Sequence, residues 1–84
     1  MNKISVTNTW TEIVPDSTVL TIQNVGNNHM RVYVDRAATG APVDPDSGYF
    51  ITSITQSNTD SNLTLDDITD PVFVYSRNGT TAVY

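Results

Sequence analysis

The feature that most constrains this chain is its supply of β-branched side chains: 10 Val, 6 Ile and 13 Thr make up about a third of the 84 residues. Two substituents on Cβ restrict χ1, which suits a pleated strand better than a helical turn. Strong helix formers are scarce, with 3 Leu, 4 Ala, one Glu and one Lys. Apolar residues alternate with polar ones in short runs separated by Pro, Gly and Asn, which gives about seven short strands. The expected fold is all-β, a small antiparallel β-sandwich or barrel. The length suits one such domain over residues 1–84. Val/Ile alternation together with Trp, Phe and Tyr argues against disorder.

Strands are expected at 4–7, 10–14, 18–24, 30–35, 49–55, 62–65, 72–77 and 80–84, the first two as a pair or one interrupted strand. Pro15-Asp16-Ser17 reads as a turn, residues 36–48 as the longest loop, 56–61 as a polar loop and 66–71 as an acidic connection. Segments 18–24 and 30–35 read as a hairpin in which Leu20 and Ile22 share a face with Met30, Val32 and Val34, pairing Ile22 with Val32, Leu20 with Val34 and Asn24 with Met30. That phasing requires a three-residue loop, Gly26-Asn27-Asn28, with one residue in the left-handed region. Asn78-Gly79 is the preferred type I′ dipeptide, so 72–77 and 80–84 read as a second hairpin. One of its faces then carries Val72, Val74 and Val83, and the other Phe73, Tyr75, Ala82 and Tyr84. Both faces are apolar, and a chain of this length buries only about 60–65% of its unfolded surface. The expectation is a subunit whose burial is completed by neighbours.

Several function classes are excluded by composition. One Lys and three Arg (Lys3, Arg31, Arg36, Arg77) against nine acids, net charge −5, cannot form the basic stripe that nucleic acid requires. The absence of Cys removes disulfides, thiolate metal sites and thiol nucleophiles. No stretch approaches the ~20 apolar residues of a membrane-spanning helix. Met1-Asn2-Lys3 runs into the strand-like Ile4-Ser5-Val6-Thr7 and not into an apolar signal segment, so synthesis and folding in a cytoplasm are expected.

No constellation carries catalysis. His29 is the sole histidine, beside a turn, with neither a second His nor a nucleophile motif near it. Asp44-Pro45-Asp46-Ser47-Gly48 has the beginning of a calcium loop but lacks its later ligands and terminal Glu, and reads as turn chemistry. Asp66, Asp67 and Asp70 lack the shielding that separates the pKa values of an acid/base pair, and read as a solvated loop. An enzyme is not expected, and neither a cofactor nor a metal is implied. What remains is surface. Trp10 reads either as a lid on the core or as an interface anchor; Phe73, Tyr75 and Tyr84 invite the same two readings, the protein–protein face foremost.

The order of these segments resembles a known group. Trp10-Thr11-Glu12, then Val19-Leu20-Thr21-Ile22-Gln23-Asn24-Val25-Gly26, then Val32-Tyr33-Val34, a Pro/Asp/Gly loop, Gly48-Tyr49 and Val72-Phe73-Val74-Tyr75-Ser76-Arg77-Asn78-Gly79 follow one another. This order is similar to that of small β-sandwich virion accessory proteins of tailed bacteriophages. The resemblance runs from Trp10 to Tyr84 and rests on strand and turn chemistry. It implies a non-enzymatic structural protein of the virion, foremost a capsid decoration protein that binds and stabilises coat subunits. A tail or connector accessory protein and a glycan- or receptor-binding module of a fibre are the alternatives. Glycan sites draw aromatics from loops, whereas 36–48 and 56–61 contain none. The implied partners are coat, connector or tail subunits and further copies of the chain, as a trimer or other cyclic homo-oligomer, with Trp10, Phe73, Tyr75 and Tyr84 as interface candidates.

Overall fold

The computed structural model describes residues 2–15, 17–53, 55–56 and 60–84. Asp16 of the first expected turn, Ile54 of the fifth expected strand, and 57–59 of the polar loop lie outside the described residues. Eight strands form: β1 (Lys3–Val6), β2 (Thr11–Ile13), β3 (Leu20–Asn24), β4 (Met30–Val34), β5 (Tyr49–Ile51), β6 (Asn62–Leu65), β7 (Val72–Tyr75) and β8 (Thr80–Val83). They make two antiparallel four-stranded sheets, β1-β8-β3-β6 and β2-β7-β4-β5, as expected of a small all-β sandwich.

The alternation along each strand explains the core. Val6, Leu20, Ile22 and Ala82 point inward from the first sheet, and Ile13, Met30, Val32, Ile51, Val72 and Val74 from the second. Ile68, from the connection between β6 and β7, joins this cluster, and its N–H donates to Thr18 O at 2.7 Å. Ile4, Val34, Leu63, Leu65 and Tyr84 pack around its margin.

Both expected hairpins are overturned. β3 pairs with β6 and β8, while β4 pairs with β5 and β7, so the two strands face each other across the core. None of residues 26–28 has a positive φ; the chain crosses from one sheet to the other instead of turning back beside itself. Likewise β7 lies between β2 and β4, and β8 between β1 and β3. At the second crossing Gly79 N donates to Ser76 O at 3.3 Å, and Gly79 has φ +82° while Asn78 stays at negative φ. A type I′ turn needs both central residues at positive φ. The physical reason is burial. In a hairpin Val74 would share a face with Val83 and leave Ala82 beside the outer aromatics; with the strands in opposite sheets, Val74 and Ala82 both reach one core and both are fully buried.

Asn24 secures the first crossing. Its amide is fully buried and its Nδ2 donates to Asn28 O at 2.8 Å and Thr52 O at 3.2 Å. Its Oδ1 accepts from Gly26 N at 3.1 Å and from Thr80 Oγ1 at 2.8 Å. The two crossings are joined to each other: Asn28 Nδ2 donates to Gly79 O at 2.7 Å, and Ser76 Oγ to His29 O at 2.7 Å. These bonds bring His29 and Arg77 to the same end of the sandwich.

Candidate protein-interaction surface

Residues that alternate with the core on β4 and β7 must emerge on the outer face of the second sheet. Register places Arg31 between Tyr75 of β7 and Phe50 of β5, and Tyr33 beside Phe73, which itself adjoins Glu12 of β2. Trp10, immediately before β2, lays its ring on Tyr75 with centroids 5.1 Å apart and planes 30° from parallel. It meets Tyr33 edge-on at 6.2 Å. Its indole Nε1 is buried with no acceptor among the described residues, so stacking rather than a hydrogen bond holds the ring. The guanidinium of Arg31 lies 4.8 Å over the Phe50 ring, and the His29 ring is tilted 40° to that of Phe50 with centroids 5.1 Å apart. One row, Trp10, Tyr75, Arg31 and Phe50, therefore crosses the sheet, with Tyr33 and Phe73 behind it.

The long loop between β4 and β5 returns over one end of this row. Its start is fastened by Asp35, a buried carboxylate that accepts from Thr39 N at 3.1 Å and Gly40 N at 2.7 Å. Asp44 shapes its far end, accepting from Asp46 N at 2.9 Å through Oδ1 and from Ser47 N at 3.2 Å through its carbonyl. Gly48 then brings the chain against β4. Its φ is +86°, and a Cβ there would lie 2.2 Å from Val32 O, so no other residue fits without moving one of the two strands. The loop sets Asp46 beside two guanidiniums: Arg31 Nη1 donates to Asp46 O at 3.0 Å, and Arg77 Nη2 stands 3.9 Å from Asp46 Oδ1.

Of the residues expected at an interface, the structure brings together Trp10, Phe73 and Tyr75, all half-buried. Tyr84 is not among them. It ends the strand run of β8 in the first sheet, packs on the margin of the core, and exchanges both backbone hydrogen bonds with Asn2, at 2.7 and 2.9 Å. Its ring borders an open recess of about 410 Å³ that Pro15, Val19, Leu20 and Val83 also line. The expected grouping of Tyr84 with Phe73 and Tyr75 depended on the hairpin, and the crossing moves it to the other sheet. Arg31, Tyr33 and Phe50 were not singled out from sequence. Alternation alone marks Arg31 and Tyr33 as outward once Met30, Val32 and Val34 face the core; Phe50 becomes their neighbour only through a long-range pairing.

Asp70 lies 3.8 Å from Arg36, and Asp67 occupies a positive-φ position at +55°. Among the described residues no three His, Asp or Glu side chains gather as metal ligands. Comparison with known proteins finds no matching family model, no similar curated protein and no similar solved structure.

Proposed function

We propose that this protein is a non-catalytic assembly module that docks on another protein through the outer face of its second sheet. The observation that carries this is the contiguous row of Trp10, Tyr75, Arg31 and Phe50. Trp, Tyr and Arg are the residue types on which binding energy concentrates, because they bury much area at low entropic cost and keep a polar handle. The order of strand and turn motifs, similar to that of β-sandwich virion accessory proteins of tailed phages, supports a place in a virion. There the module would decorate the capsid and stabilise coat subunits by adding interface area. A tail or connector position uses the same surface on a different subunit.

The test is co-sedimentation of the purified protein with phage heads and, separately, with tails, alongside its oligomeric state by light scattering. Trp10→Ala and Tyr75→Ser should each weaken association by about 2 kcal/mol, roughly 30-fold, as for hot-spot residues. Tyr84→Ser, in the opposite sheet, should leave it within about threefold, the ordinary effect of a residue outside the hot spot. Circular dichroism of each variant separates lost docking from lost folding. A strictly monomeric protein that ignores heads and tails but gives a specific glycan-array signal would replace this function with the glycan-binding alternative.

A further inference from the structure

We infer that the recess at the end of the aromatic row, between Arg31 and Arg77, receives a single carboxylate side chain of the docking partner; this rests on the docking function proposed above and names the chemistry of its contact. The recess has a volume of about 90 Å³ and is lined by His29, Arg31, Asp46, Tyr75, Ser76 and Arg77 among others. That exceeds the ~10–15 Å³ that one water needs on the same measure, so the recess has room for one carboxylate-bearing side chain. Two of the chain's four Lys and Arg residues converge there although the chain carries nine acids.

Arg31 is the telling residue. It is half-buried, its cation rests on the Phe50 ring, and among the described residues no carboxylate comes within 4.0 Å of it. Its Nη1 donates to a backbone carbonyl, that of Asp46. A guanidinium has five N–H donors in a fork matched to carboxylate geometry, so this arrangement leaves charge and donors to be used. Among the described residues the carboxylate that meets Arg77 is that of Asp46, at 3.9 Å, with both side chains about two-thirds exposed. Such a pair contributes little and exchanges readily. An incoming carboxylate therefore binds between the two guanidiniums while Asp46 swings to solvent. Asp46 and the net charge of −5 disfavour a dianion, which selects a monoanionic carboxylate over phosphate.

The probe is a pair of end-blocked tripeptides, Leu-Glu-Leu and Leu-Gln-Leu, titrated at constant ionic strength and followed by NMR at the Arg Nε–H and backbone amide resonances. The Glu peptide should bind at least tenfold tighter than the Gln peptide and shift Arg31, Arg77 and Tyr75. Arg77→Gln, at an exposed position, should abolish the preference. Asp46→Asn should strengthen Glu-peptide binding severalfold by removing the resident carboxylate. Equal binding of the two peptides overturns the carboxylate site while leaving the aromatic docking face standing. Tighter binding of inorganic phosphate overturns the choice of ligand, and no binding of either peptide overturns the site. Head and tail co-sedimentation of the aromatic variants reads the docking function independently of all three results.

Discussion

Removing the Asn24 amide should be the most damaging conservative truncation outside the apolar core. Besides a long 3.5 Å contact to Ile51 O, its side chain bonds to four groups: the carbonyls of Asn28 and Thr52, the N–H of Gly26 and the hydroxyl of Thr80. These belong to the first crossing, to the segment after β5 and to β8, so one amide joins both sheets. At about 1 kcal/mol net per hydrogen bond, the four together contribute about 4 kcal/mol. Asn28 and Thr80 are half-buried, so water recovers part of the loss after truncation. Asn24→Ala should therefore cost about 3 kcal/mol. A chain of 84 residues has a total stability of about 4–13 kcal/mol, so this is a large share of it. At about 4–8 °C per kcal/mol, Tm should fall by about 12–24 °C. Asn24→Asp should be at least as costly at neutral pH, because it turns an oxygen toward the Asn28 and Thr52 carbonyls in place of the donating nitrogen. The assay is urea unfolding followed by far-ultraviolet circular dichroism and Trp10 fluorescence, with a shifted midpoint and an unchanged slope. A loss below about 1 kcal/mol for Asn24→Ala, or an Asp variant as stable as the parent, would refute the role given to this amide.

Two further substitutions test the loop that frames the docking row. Gly48→Ala combines a φ of +86° with a Cβ 2.2 Å from Val32 O, and should cost about 2 kcal/mol or more and displace β5 from β4, seen as lost amide protection at Ile51, which lies opposite Met30. Gly48→Ala as stable as the parent would show that the backbone there is not confined as described. Asp35→Asn turns one accepting oxygen into a donor facing the Thr39 or Gly40 N–H, and should cost about 1–3 kcal/mol by thermal melt. An unchanged melt for Asp35→Asn would remove Asp35 as the anchor of the loop.

The buried set was legible and the neighbour relations were not. Leu20, Ile22, Met30 and Val32 are all buried, as their alternation requires. A shared apolar phase is satisfied equally by strands side by side and by strands facing each other across one core. The hairpin expectation chose the first where the chain takes the second. Asn78-Gly79 misled for a related reason: the dipeptide supplies a bend, but whether the chain then returns beside itself or crosses to the other sheet depends on where Val74 and Ala82 can both be buried. The same ambiguity decided the candidate surface. Trp10, Phe73 and Tyr75 are aromatic in the sequence, and three do come together, but Tyr84 goes with β8. The recess between Arg31 and Arg77 had no local signal, since 46 positions separate the two arginines and the long-range pairing of β4 with β7, which sets Arg31 opposite Tyr75, brings them close.

The strand order has a consequence for the chain as a polymer. Take β1–β4 as one half and β5–β8 as the other, with the long loop between them. Each sheet then reads first half, second half, first half, second half, and every backbone ladder joins a strand from one half to a strand from the other. Neither half holds a single strand pair of its own. The protein is in effect a complex of two fragments tethered at 36–48, and its ladders form only after long stretches of chain have closed, the condition for slow β folding. The same tether is the one place where two copies could trade halves and keep every ladder intact, an intertwined dimer made with no new contact.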